Sequence, residues 1–208
     1  MTTTIILVRH GQTEWNRVER FRGRADVPLN DTGLRQAEAT GRRVADMGRP
    51  VALYSSPLAR AVKTAEAIGR LVNLAVEIQP GLVDIDYGEW QALTPDEARS
   101  QWPEMVETWY NTPHLATIPG GESLGEIRVR AMRAVGDLAA RHAGETIVLV
   151  SHTVVNRIIL MGVLGIGNER FWRIRQEPCA INVFEVGDGD YTLVSMNDTC
   201  HLNSTSPA

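Results

Sequence analysis

Apolar runs rich in β-formers recur at residues 4–8, 51–55, 75–78 and 146–150, and stretches of helical periodicity separate them. Strands alternating with helices in this way predict an α/β fold with a largely parallel sheet. The helices carry their own start and stop signals. Residues 33–47 follow Asn30-Asp31-Thr32 and end near Gly48 and Pro50. Ser56-Pro57 places an N-cap before a proline at the first helical position and predicts a helix over about 57–72. Thr94-Pro95-Asp96-Glu97 and Ser123-Leu124-Gly125-Glu126 read as capping boxes, opening helices near 95–101 and 124–142. Val154 to Leu164 is apolar nearly all round, so that helix is expected to be buried against the sheet. Two more strands, about 180–186 and 191–196, flank the turn Gly187-Asp188-Gly189-Asp190.

Residues 85–122 break the alternation. They hold Trp90, Trp102, Trp109 and Tyr110, scattered prolines and Gly120-Gly121, with room only for short helices. A long irregular insertion of this kind is either a lid over a binding site or a surface excursion packed on buried aromatics. The expected architecture is a three-layer α/β sandwich, with a mostly parallel central sheet, helices on both faces and a lid-like insertion at about 85–122. No repeat, low-complexity stretch or linker divides the chain, so one domain over 1–208 is expected.

Composition narrows the class. A net charge of −4 and pI near 5.8 argue against general nucleic-acid binding, yet leave room for a local cationic pocket. Cys179 and Cys200 are too few for a disulfide scaffold and lack C-x-x-C spacing, which fits reduced thiols. The N-terminus has no signal-peptide pattern and no segment has the length of a membrane span; a soluble, cytoplasmic protein is expected.

Chemistry gathers at three strand ends. The first run closes on Arg9-His10-Gly11, the second on Ser55-Ser56-Pro57-Leu58-Ala59-Arg60, and the third on Ser151-His152-Thr153. The carboxyl edge of an open α/β sheet is where ligands bind. Each of these turns also leads into a helix whose free N–H groups and dipole favour an anion. Arginine offers a planar donor fork for phosphate. His10 by itself could be a nucleophile, a base or a metal ligand. Arg9, His10, Arg60 and His152 converging on one point would make a dense phosphate socket, whereas any one of them alone reads as a surface or structural residue. The five histidines show no zinc-ligand spacing, and no metal or other cofactor is expected.

Leu7-Val8-Arg9-His10-Gly11-Gln12-Thr13-Glu14-Trp15-Asn16 resembles the signature of the histidine phosphatase superfamily, which includes the cofactor-dependent phosphoglycerate mutases. The likeness continues, in order, through Gly23-Arg24-Ala25-Asp26-Val27-Pro28-Leu29, Ser55 to Ala61 with Thr64-Ala65, Gly88-Glu89-Trp90, Gly120-Gly121-Glu122-Ser123 and Val150-Ser151-His152. The resemblance implies that His10 attacks phosphorus to form a phosphohistidine, while Arg9, Arg60, His152 and Asn16 hold the phosphoryl oxygens. It also places Gly11, Gly23 and Thr153 around the substrate. Flanking arginines and helix termini would keep His10 unprotonated at neutral pH. The family's proton donor is usually a glutamate just before a Gly-x-Trp; here the matching position is Asp84, with Asp86 and Glu89 as alternatives. A carboxyl beside a phosphate dianion is expected to have a raised pKa, as a general acid requires.

Mutases of this family resemble longer chains, with a larger insertion and a C-terminal tail that closes over the site, whereas Gly120-Gly121-Glu122-Ser123 and the segment Asn197 to Leu202 look like the phosphatase branch. The expected activity is therefore hydrolysis of a small phosphorylated metabolite: a sugar phosphate, or a phosphoglycerate-type or phosphoserine-type ester. Tyr87 stands where the phosphoserine enzymes tend to carry histidine, which leaves that substrate open. Alternatives are a phosphoglycerate mutase, a protein-phosphohistidine phosphatase, and a non-catalytic phosphate-binding or regulatory protein. Arg22, in the loop Arg20-Phe21-Arg22-Gly23-Arg24, is either a solvent-facing cation or a contact for a second anionic group on the substrate. His201 and His114 are expected near the mouth of the site, His142 at a helix end, and Trp15 and Phe21 in the core. The apolar Val183-Phe184-Val186 stretch is read as an exposed sheet edge that could pair in a homodimer.

Overall fold

The computed structural model describes residues 1–205. In chain order the strands and helices are β1 (Thr3–Arg9), α1 (Glu14–Arg17), α2 (Asp31–Asp46), β2 (Ala52–Ser55), α3 (Ala59–Val72), β3 (Val76–Ile78), α4 (Pro95–Gln101), α5 (Pro103–Asn111), α6 (Leu124–Arg141), β4 (Thr146–Ser151), α7 (Thr153–Val163), β5 (Ile181–Gly187) and β6 (Asp190–Asp198). One six-stranded sheet runs in the order β3-β2-β4-β1-β5-β6. The pairings among β3, β2, β4 and β1 are parallel; β5 is antiparallel to β1, and β6 to β5. The sheet is thus mixed, with the parallel part supplied by the four strands that the apolar runs predict.

Strand alternation explains the layers. Ile5, Leu7, Tyr54, Ile147 and Leu149 point to one face, where Ile127, Val135 and Leu138 of α6 and Val155, Ile158 and Ile159 of α7 cover them. Ile6, Val8, Leu53, Val148 and Val150 point to the other, against Val44 of α2 and Ala61, Ala65 and Ile68 of α3. Because both faces are covered, β1, β2 and β4 read as unbroken apolar runs rather than alternating ones. The helix α7 is buried along most of its length, as its all-round apolar sequence requires. Among the described residues, no helix is long and apolar enough to cross a membrane.

Two expectations are corrected. The helix predicted over 57–72 begins at Ala59 with Leu58 at its N-cap, and the Ser56 hydroxyl lies before it, accepting the Leu58 N–H at 3.4 Å and meeting His152. The Val183-Phe184-Val186 stretch is not an edge: β5 lies between β1 and β6, and Phe184 is fully buried. The edge is β6, joined to β5 through Asp188 and Gly189 at φ 52° and 83°, the paired left-handed conformations of a tight hairpin turn. Within 85–122, Trp90 and Trp109 are buried edge to face beside Tyr87 and Phe171, while Tyr110 is exposed and stacks on Trp172. Trp102 packs on the same core, and α4 is opened by the predicted Thr94–Glu97 capping box.

The loop after β1 lies directly on the first turn of α2. A Cβ on Gly33 would fall 2.1 Å from the carbonyl oxygen of Gln12, and one on Gly11 would fall 2.6 Å from that of Gly33. An ordinary helical Gly→Ala change gains about 1 kcal/mol of helix propensity. At Gly33 we expect the opposite sign: Gly33→Ala should destabilise by about 1–3 kcal/mol through forced backbone displacement. Thermal unfolding tests this directly, since a melting point equal to or above that of the wild type contradicts the close approach.

Candidate active site

Register brings the three strand ends level. Arg9 of β1 sits opposite Ser151 of β4, and Ser55 of β2 opposite Val150. The ladder continues one step beyond the strands, with the N–H of His10 donating to Ser151 and that of Ser56 to Val150. His10, Ser56 and His152 therefore leave the sheet at one height, and the rings of His10 and His152 lie 5.1 Å apart.

His10 is fully buried. Its Nδ1 lies 2.7 Å from the carbonyl oxygen of Gly11, which can only accept, so Nδ1 carries the proton. The Nε2 lone pair is left bare and has no hydrogen-bond partner. Burial, then the fields of Arg60, His152, Arg9 and Arg22, hold His10 well below its ordinary pKa of 6.5. The imidazole is neutral at physiological pH. The Gly11 N–H donates to the Thr64 hydroxyl, which in turn donates to the carbonyl of Arg60, tying this loop to α3.

Arg60 is fully buried on the first turn of α3. Its guanidinium donates to the carbonyls of Gly23 (2.7 Å) and Ala25 (2.8 Å) and to Asp84 Oδ2 (3.0 Å). Gly23 reaches the site through that carbonyl. It adopts φ +48°, and a Cβ there would fall 2.8 Å from the carbonyl oxygen of Ile85. Arg9 donates to the carbonyl of Gln176 at 2.5 Å, while Asn182 of β5 bridges Gln176 to the Leu7 carbonyl. Burial and the neighbouring Arg22 and Arg157 lower Arg9 to about 9, so it stays cationic at neutral pH.

His152 caps α7. Its Nε2 meets the Ser56 hydroxyl at 2.6 Å and its Nδ1 lies 3.5 Å from Asp84 Oδ2. Burial lowers its pKa to about 3; Asp84 opposes this, and Arg60, Arg22 and Arg9 reinforce it. Asp84 is the carboxylate brought to the centre. Asp86 instead pairs with Arg24 at 3.1 Å, and Glu89 is exposed. The protein's own groups act on Asp84 in both directions. Burial pushes it up, but His152, Arg60, Arg22 and the Ile85 N–H together hold it below the usual carboxylate range. Arg130 fixes this segment by donating to the carbonyls of Gly81, Val83 and Asp84 while forking onto Glu122, which accepts the Asp86 N–H.

A pocket of about 400 Å³ reaches this cluster at Arg9, and Asn16, Arg22, Thr153, Arg157 and Gln176 are among its other lining residues. Arg22 is half-buried and faces the pocket, which corrects the solvent-facing alternative; it donates to the Trp15 carbonyl at 3.1 Å. Asn16 turns its Oδ1 to the N–H and hydroxyl of Thr13. The Thr153 hydroxyl is buried without a partner. A larger open groove of about 550 Å³ lies at the far end of α3, around Arg70 and Asn73, and holds none of these residues. His114 is exposed and His201 bonds the Thr40 hydroxyl; neither lines the pocket. His142 ends α6 and bonds Tyr54 and Glu145. Phe21 is buried on Tyr87, and Trp15 is half-buried. Sequence reading missed Arg157, although its spacing of four from Thr153 puts both on one face of α7. It also missed Ser56 as a partner of His152, and Gln176, which lies on a loop without periodic signal.

The two depressed histidines make stability depend on pH. Each binds its proton in the unfolded chain near pH 6.5 but not in the fold, so their contribution is complete above that value and is lost as pH falls below it. From pH 7 to pH 5 each should cost about 2 kcal/mol. In urea unfolding at both pH values, His10→Gln should lose about 2 kcal/mol less than the wild type. Equal losses would contradict a neutral buried His10.

Comparison with known proteins agrees with this geometry. The pattern of the Histidine phosphatase superfamily (branch 1) matches residues 5–199. Phosphoserine phosphatase 1 of Hydrogenobacter thermophilus is 33% identical over 198 residues, covering 95% of this chain and 93% of its own. Among solved structures, Bacillus stearothermophilus YhfR superposes with a TM-score of 0.92 at 29% identity, over 97% of this chain and 100% of its own. A phosphoserine phosphatase of Entamoeba histolytica, solved with phosphoserine and with 3-phosphoglyceric acid, gives a TM-score of 0.83 at 28% identity, over 96% of this chain and 99% of its own. With a buried, bare imidazole among arginines at three level strand ends, and that signature over nearly its whole length, the chain belongs to the histidine phosphatase superfamily and is a phosphatase of that family.

Proposed function

We propose that the protein hydrolyses phosphomonoesters of small metabolites through a phosphohistidine on His10, without a metal. The observation that carries this reading is the bare Nε2 of His10, buried among Arg9, Arg60 and His152 with its tautomer fixed by the Gly11 carbonyl. The transferring phosphoryl group carries spread negative charge, so its catalysis is mainly positioning and electrostatic stabilisation. Arg9, Arg60 and His152 hold the phosphoryl oxygens, with Asn16 and the Thr153 hydroxyl at the pocket wall. Nε2 attacks phosphorus, the ester P–O bond breaks, and the leaving alkoxide takes the proton of Asp84. Water then attacks phosphorus, giving a proton to the Asp84 carboxylate as the N–P bond breaks, and inorganic phosphate leaves.

Asp84 must be protonated for the first step, and the substrate itself supplies the shift. A phosphoryl dianion on Arg60 shares the donors and cancels the field that hold the carboxyl down, leaving burial to push it up. The pocket volume and the names of the relatives favour a small ester of sugar-phosphate, phosphoglycerate or phosphoserine type.

A screen of phosphorylated metabolites scored by phosphate release should show turnover, and mass spectrometry after an acid-free quench should find phosphate on His10. An unmodified His10 during turnover would overturn the covalent route. Asp84→Asn should slow alkyl phosphates by about 10²–10⁴ and aryl phosphates with good leaving groups far less. Uniform slowing across leaving groups would remove Asp84 from the proton-transfer role.

A further inference from the structure

The pocket holds more cation than a phosphoryl group needs. Arg9 lines the cavity from the end of β1, with the buried Arg60 behind the proposed phosphoryl position, yet Arg22 and Arg157 line that cavity as well. Arg157 makes no ion pair among the described residues. Its guanidinium carbon instead lies 5.0 Å from the ring centre of Phe171 and 5.2 Å from that of Trp172. Aromatic faces stabilise a guanidinium while leaving its edge N–H groups free to donate. Its Nε and that of Arg22 are both buried without a hydrogen-bond partner, and Arg22 makes one bond, to a backbone carbonyl. Two carboxylates share the wall: Glu19 is exposed, and Glu177 pairs with Arg175 at 3.3 Å while its field reaches Arg9 and Arg157.

Keeping two partly desolvated arginines beside a third costs stability: Arg22 and Arg157 both depress Arg9. A planar donor fork held on an aromatic shelf is suited to a carboxylate or phosphate oxyanion and poorly suited to a hydroxyl. We propose that Arg157 and Arg22 form a second oxyanion subsite, so that the preferred substrates are small phosphomonoesters bearing a further carboxylate or phosphate. This rests on the phosphoryl socket proposed above and specifies its substrate class. Arg157, one helical turn beyond Thr153, would grip the end of the substrate remote from His10.

Binding of phosphonates, whose carbon–phosphorus bond resists hydrolysis, separates this claim from catalysis. Calorimetry on the full chain would compare propylphosphonate with 3-phosphonopropionate, which adds a carboxylate, and with 1,3-propanediphosphonate, which adds a second phosphonate. One or both doubly charged ligands should bind at least about tenfold tighter than propylphosphonate, as expected for a charge-assisted pair. The ligand that gains identifies the second group. Arg157→Gln and, independently, Arg22→Gln should erase most of that ratio, and Arg157→Lys should restore only part of it, because an ammonium lacks the planar fork. A ratio near one in the wild type, or a ratio unmoved in both glutamine variants, overturns the subsite. If the ratio holds while no ester is hydrolysed, the subsite stands and the proposed activity falls; if no phosphonate binds at all, both fall.

Discussion

The buried guanidinium of Arg60 is the constraint around which the molecule is arranged. A cation removed from water costs several kcal/mol unless its donors are met. Two segments far from α3 in sequence meet it: the carbonyls of Gly23 and Ala25, and the Asp84 carboxylate. The left-handed backbone at Gly23 and the Arg130–Glu122 clamp on the Asp84 segment both serve that satisfaction. The groups that satisfy Arg60 thereby tie the loop at Gly23 and Ala25 and the Asp84 segment to the first turn of α3.

The same region departs from the usual rule that buried polar atoms are paired. His10 Nε2, His152 Nδ1, the Thr153 hydroxyl and the Nε atoms of Arg9, Arg22, Arg60 and Arg157 have no hydrogen-bond partner. Their concentration at the carboxyl ends of β1, β2 and β4 marks stability given up for preorganisation. Behind Arg9 the polar interior is satisfied, through the Leu7–Asn182–Gln176 relay.

Much of this was legible in the sequence because strong local signals agreed with the fold. The four apolar runs became the parallel strands, and the capping boxes at Thr94 and Ser123 open α4 and α6. Arg9, His10, Arg60 and His152 could be expected together because equivalent strand-to-helix junctions share one sheet edge. What stayed hidden depends on tertiary packing. Ser56 has the look of an N-cap, but its hydroxyl is taken by His152, a partner 96 residues away. Phe184 has the alternation of an edge strand, and only the antiparallel addition of β6 buries it. The tryptophans of the insertion gave no hint whether they faced a ligand or the core. Arg157 is masked by the apolar length of α7, in which one cation is easily taken for a surface residue.

The parallel pairing of β1 with β4, from Thr4 against Thr146 to Arg9 against Ser151, has a consequence for how the protein is made. His10 and His152 become neighbours only after a loop spanning most of the chain has closed, and the Gln176 support for Arg9 lies 167 residues from it. Such contacts carry a large loop-closure entropy and form slowly. A growing chain therefore carries His10 early, before the groups that bury it and neighbour it are in place. The environment that holds His10 neutral arrives together with the last parallel strand.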